Sequence, residues 1–223
     1  MNLKLFFEAI LKFTLGVIIV GLLIFLPAGT LNYLNGWLLM GILFIPMFIA
    51  GIIMIIKSPN LLKSRLRAKE KQSEQKKVVA ISGLMFLTGF IIAGINYRYN
   101  ITKLPNIIVI IATIIFLISY IMYAEVLREN IFLSRTIEVQ KNQKVIDAGL
   151  YGIIRHPMYT ATILMFLSIP LILGSIISFI IFLIYPFIII KRIKNEEQVL
   201  EQELKGYKEY KKKVKYRLIP FIW

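Results

Sequence analysis

The chain has no cysteine and a single histidine, His156, in 223 residues. No disulfide can form and no thiolate can act as a nucleophile. A cysteine-ligated or histidine-rich metal centre is excluded too, so no metal site is expected. Charge is also sparse. Asp, Glu, Lys and Arg make up 17% of the residues against 58% hydrophobic ones, and the mean hydropathy is +0.75. A soluble domain of this length carries less apolar and more charged sequence. The basic runs hold no recognisable RNA- or DNA-binding motif, so the net charge of +15 does not point to nucleic acid. It fits the positive-inside bias of a helical membrane protein and contact with anionic lipid.

What is there is long apolar sequence. A bilayer core takes about 20 apolar residues per helix. Four stretches qualify, 13–28, 37–56, 78–97 and 107–127. A fifth, 158–190, is too long for one span and is interrupted by Pro170 and by Gly174-Ser175. It reads as a helical hairpin turning at Gly174-Ser175, with a further kink at Pro186. The expected fold is an all-α integral membrane protein of about six membrane segments, four full spans plus a C-terminal hairpin. A cytoplasmic amphipathic helix over 191–217 is expected to follow, with Leu200, Leu204 and Tyr207 on one face. Residues 1–127 form an N-terminal four-helix region and 128–223 a C-terminal functional region.

Lysine and arginine set the orientation. The connection 29–36 has none, and 98–105 has Arg98 and Lys103. The other 25 of the 27 fall on the opposite side when there are six crossings. Both termini and the basic stretch 57–77 are therefore expected in the cytoplasm. The first apolar stretch is expected to remain as a helix, because no small-residue cleavage site follows it.

Ionisable groups at membrane depth are costly and mark functional sites. They cluster on both sides of the hairpin. Before it stands Gly149-Leu150-Tyr151-Gly152-Ile153-Ile154-Arg155-His156-Pro157-Met158-Tyr159. After it come Arg192, Glu196, Glu197, Gly206, Tyr207 and Tyr210. Gly149 and Gly152 suit a tight turn with close backbone approach to a ligand, and Pro157 suits the first turn of the following helix. A helix N-terminus there would bind an anion or carboxylate. Arg192 and Glu196 share a helix face at i and i+4. They form either a surface ion pair or a clamp and proton acceptor at the membrane boundary, and spacing alone leaves both open. Glu197 points about 100° away, from 3.6 residues per turn. Tyr207 and Tyr210 either pack the helix or lie over a cation. Trp37 and Trp223 suit the membrane interface, where the C-terminal Pro220-Phe221-Ile222-Trp223 is expected to return.

These segments resemble the isoprenylcysteine carboxyl methyltransferase family and its bacterial and archaeal relatives, which are similar in turn to phospholipid N-methyltransferases. The resemblance rests on Gly149 to Tyr159, Arg192 to Glu197, Gly206-Tyr207 with Tyr210, and then Val214 and Pro220. It implies S-adenosylmethionine as methyl donor, bound from the cytosol, and a lipophilic or lipid-linked acceptor entering from the bilayer. By position, Tyr151, Arg155, His156, Pro157, Tyr159, Glu196, Glu197, Tyr207 and Tyr210 would shape the cofactor pocket. Arg192 and Glu196 would be the catalytic pair. A carboxylate acceptor would want Arg192 as a clamp, and an amine or thiol would need Glu196 as base.

Two alternatives stand beside this. NADPH-dependent sterol or steroid reductases share an Arg-His-Pro-x-Tyr segment, but show Arg-His-Pro-Asn-Tyr followed by Gly-Asp where this chain has Met158-Tyr159-Thr160-Ala161. A non-enzymatic transporter or scaffold would show buried charge in several helices, and the first four segments hold only Glu125.

Overall fold

The computed structural model describes residues 3–66, 73–134 and 136–223. Part of the basic stretch 57–77 and Arg135 thus lie outside the described residues. Among the described residues there are helices, turns and loops, and no strand. In chain order they are α1 (Leu3–Ala28), α2 (Leu34–Lys57), α3 (Pro59–Leu66), α4 (Ser73–Tyr99), α5 (Asn106–Glu129), a 3-10 turn (Gly149–Gly152), α6 (Pro157–Ile172), α7 (Ile176–Phe182), α8 (Tyr185–Glu203) and α9 (Tyr207–Lys213).

Among the described residues, five helical stretches are long and apolar enough to cross a membrane: α1, α2, α4, α5 and the run 176–203 that comprises α7 and α8. The protein is a multi-pass membrane protein. The expected hairpin is α6 followed by α7–α8. Gly174 makes its turn with a φ of +75°, in the left-handed region that favours glycine. The Ser175 hydroxyl then caps α7 by accepting from the Ser178 N–H at 3.2 Å. The chain breaks again at Leu183-Ile184, just before Pro186, as expected at a proline. With 16 residues, α6 spans only about 24 Å at 1.5 Å per residue, short of a bilayer core of about 30 Å.

Two expectations are corrected. The tail is not one helix over 191–217. It ends at Glu203, turns through Gly206 at φ +89°, and restarts as α9. Leu204, Tyr207, Tyr210 and Val214 do cluster with Leu200, but they pack on Val139 and Val145 of the α5–α6 connection. Glu125 is no buried intramembrane charge either. It is partly exposed at the end of α5 and paired with Arg128 at 2.5 Å.

Core packing joins the N- and C-terminal halves. Phe86 of α4 meets Phe166 of α6 edge-on at 4.8 Å and Phe182 of α7 at 5.3 Å. The Ser178 hydroxyl donates to the Gly89 carbonyl at 2.8 Å, closing α7 onto α4. At Gly94, α4 meets α1 so closely that a Cβ would lie 2.6 Å from the Ile24 carbonyl oxygen and 3.0 Å from the Ala28 nitrogen. Small residues permit such approach between membrane helices. Because the obstacle is backbone, Gly94→Ala is expected to cost about 1–3 kcal/mol and to lower the thermal midpoint in detergent by several degrees. An unchanged midpoint would show that the two helices are free to separate.

Candidate active site

The end of α5, the connection 130–148, the starts of α6 and α9 and the polar end of α8 surround a cavity of about 840 Å³, its open mouth included. Among its walls are Tyr151, Arg155, His156, Tyr159, Arg192, Glu196, Tyr207 and Tyr210. Ten site residues were expected from sequence, and these eight are brought to one cavity. The other two sit behind it. Pro157 is fully buried as the first residue of α6, and Glu197, about 100° round α8 from Glu196, does not line the cavity.

Glu197 is the hub of a buried charge cluster. One of its oxygens accepts from Arg155 Nε at 2.8 Å and lies 3.2 Å from His156 Nε2. The other accepts from Arg217 Nε at 3.0 Å and Nη2 at 2.9 Å. Arg155, His156 and Glu197 are each at most 5% exposed. A carboxylate only accepts, so the facing His156 nitrogen carries the proton. The guanidinium of Arg155 also donates to the Val214 and Lys215 carbonyls, at 2.7 and 2.8 Å. The backbone N–H groups of Arg155 and His156 donate to Tyr216 and Arg217. The Arg-His segment is therefore clamped to the C-terminal segment through both side chains and backbone.

The turn before it is held from α5. Glu129 accepts the Leu150 N–H at 3.1 Å, and Asn130 donates to the Tyr151 hydroxyl at 3.0 Å. Gly149 has φ +57°, and a Cβ there would lie 1.7 Å from a Glu129 oxygen. The close approach read from its glycines is thus to this chain's own carboxylate, which already occupies the turn's N–H. Sequence reasoning gave Glu129, Asn130 and Arg217 no role. Their signal was weak: single polar residues at the ends of segments already explained by topology.

On the facing wall, Arg192 Nε donates to the Tyr159 hydroxyl at 2.9 Å, and that hydroxyl donates to Glu196. Tyr159 thus stands between the two residues expected to pair. The Tyr210 hydroxyl donates to the Tyr151 carbonyl at 2.8 Å. Tyr207 differs. It is buried, its ring lies 5.7 Å from that of Tyr210, and its hydroxyl has no hydrogen-bond partner among the described residues. A buried orphan hydroxyl costs about 1–3 kcal/mol unless something satisfies it. Burial pushes its phenol above the ordinary value, and the nearby Glu197 and Glu196 charges add to this. Burial does the same first for Tyr151 and for Tyr210. All three phenols therefore stay protonated at neutral pH, so Tyr207 offers the cavity a donor.

The fold and the cavity define a multi-pass membrane protein with a polar pocket built where its C-terminal hairpin meets the connection after α5. Residues 107–202 match the Isoprenylcysteine carboxyl methyltransferase (ICMT) family. The matched region contains the Arg-His-Pro segment, the hairpin and the Glu-Glu pair, so this part of the chain is similar to that methyltransferase family. It is also similar to the Delta(14)-sterol reductase of Mus musculus, 29% identical over 91 residues, which cover 40% of this chain and 22% of that protein. The chain thus matches about a fifth of that relative's length.

Proposed function

We propose that the chain transfers a methyl group from S-adenosylmethionine to a hydrophobic or lipid-linked acceptor, either a carboxylate such as that of an isoprenylcysteine or a lipid amine. The observation that carries this reading is the Tyr207 hydroxyl: a buried donor without a partner among the described residues, in the wall of a polar pocket that also holds Glu196 and Arg192. Such a pocket fits a zwitterionic ligand, with the Tyr207 O–H and Arg192 facing a hydrogen-bond acceptor such as a carboxylate and Glu196 facing a cationic centre. S-adenosylmethionine, when bound, supplies an electrophilic methyl carbon on a positively charged sulfur.

The residues present suit that group. Tyr207 and Tyr210 offer aromatic faces, each contributing on the order of 0.5–2 kcal/mol to holding a cation. Glu196 adds a carboxylate on the same wall, oriented by the Tyr159 hydroxyl. His156, Arg155 and Tyr151 shape the floor. The chain's task is then alignment and exclusion of water, which supply most of the catalysis in a displacement of this kind. Arg192 would clamp an acceptor carboxylate, or Glu196 would take the proton of an acceptor amine. With both termini cytoplasmic, as lysine and arginine placement implies, the pocket opens to the cytosol and the acceptor arrives from the bilayer. The basic connections would rest on anionic lipid.

The test is transfer of radiolabelled methyl from S-adenosylmethionine by the purified protein, offered N-acetyl-S-farnesylcysteine or phosphatidylethanolamine. Label in either acceptor is expected and tells carboxylate from amine. Label in neither, with protein that stays folded, would remove both acceptor classes.

A further inference from the structure

Gln75 lies in the first turn of α4, outside the matched region 107–202. It falls in the basic stretch 57–77, expected in the cytoplasm. It is instead fully buried, at 0% exposure. Its side chain accepts from Arg192 Nη1 at 3.0 Å and donates to Asn195 Oδ1 at 2.8 Å. Next to it, Glu74 pairs with Lys191 at 2.9 Å. The start of α4 is thus fastened to one turn of α8, the turn that carries Arg192 and Glu196.

The polarity of these bonds is not interchangeable. Arginine has five donors and no acceptor, so Gln75 must turn its oxygen to Arg192 and its amide NH2 to Asn195. The other side of Arg192 donates through Nε to the Tyr159 hydroxyl. With its lone pairs engaged there, Tyr159 directs its single proton to Glu196. One chain of bonds therefore runs from Gln75 through Arg192 and Tyr159 to the carboxylate in the pocket. Outer groups of this kind hold the residues that touch ligand, and losing one typically lowers activity about 10–100-fold.

We infer that Gln75 is a positioning residue: its amide oxygen fixes the Arg192 guanidinium, and through Tyr159 the Glu196 carboxylate, in the orientation the site uses. Its effect on catalysis rests on the methyltransferase reading, but its effect on Arg192 does not. A charge-bearing but oxygen-presenting side chain should serve in its place, and an apolar one of similar size should not.

The experiment compares Gln75→Leu and Gln75→Glu with wild type in detergent. It reads the nitrogen-15 correlation of the arginine Nε–H groups, with Arg192 assigned by Arg192→Lys. In Gln75→Leu the Arg192 signal is expected to shift or broaden, as in Tyr159→Phe, while that of Arg155, held by Glu197, stays in place. Gln75→Glu should return the Arg192 signal toward wild type. In the transfer assay, Gln75→Leu should lose about 10–100-fold in kcat/KM for the acceptor and Gln75→Glu should recover most of it. An Arg192 signal unmoved in Gln75→Leu would overturn the inference, whatever the activity. So would an equal disturbance of the Arg192 and Arg155 signals in both variants, which marks general loosening. Wild type inactive on both acceptors, with the Arg192 signal responding as stated, would count against the methyltransferase reading alone.

Discussion

Glu197→Ala is expected to destabilise the protein by about 3–5 kcal/mol, because it leaves the buried Arg155 guanidinium without its counter-charge. Arg155 and His156 sit against this one carboxylate with side chains only 4% exposed, and Arg217 closes it from the other side. Water cannot replace it at that depth. The Arg155 guanidinium would still face the Val214 and Lys215 carbonyls, but carbonyl dipoles do not neutralise it. The effect should therefore reach the tail, whose backbone carbonyls accept from Arg155 and His156. A thermal unfolding scan in detergent should show the midpoint lowered by many degrees, and limited proteolysis should open the chain near residues 214–218. Glu197→Gln keeps an acceptor oxygen and should lose less. A midpoint for Glu197→Ala equal to wild type would mean that the cluster is hydrated and does not clamp the tail.

Glu196→Ala is expected to behave in the opposite way. Glu196 lines the pocket, and its described bond is from Tyr159. Its removal opens space without stranding a cation of the buried cluster. The thermal midpoint should stay within a few degrees of wild type, while methyl transfer falls by about 100-fold or more, the range for losing a proton acceptor or a positioned carboxylate. Tyr97→Phe serves as the control. Tyr97 stands at the far end of α4, its half-exposed phenol donating to the Asn32 carbonyl at 2.8 Å, and its loss should leave transfer near wild type. Full activity in Glu196→Ala would move the reacting centre elsewhere. Adjacent carboxylates thus separate into one in the buried charge cluster and one that lines the pocket, as their divergence of about 100° on α8 requires.

The membrane helices were legible because apolar runs of bilayer length are a strong signal, and α1, α2, α4 and α5 enclose the four stretches read from sequence. The hairpin was legible from Pro170 and Gly174-Ser175. Eight of the ten expected site residues line one cavity because the motif brackets the hairpin, which folds its two ends together. The far wall was not legible. Residues 130–146 have neither helical nor strand periodicity, so nothing in their order says that Thr136, Ile137 and Val145 face Tyr207 and Tyr210. Gln75 was hidden for a different reason: among lysines at a membrane boundary, a single amide reads as solvated surface. The tail helix was overextended past Gly206, although a glycine after a run of helix formers is a common stop signal.

The most direct test of the account is calorimetric binding of S-adenosylhomocysteine to the detergent-purified protein, run beside NADPH and repeated with Tyr207→Phe. Micromolar binding of S-adenosylhomocysteine is expected, none of NADPH, and weaker binding once the Tyr207 hydroxyl is removed. Binding of NADPH alone would contradict it and favour a reductase. Binding of neither would leave the pocket without the ligand its residues were argued to hold.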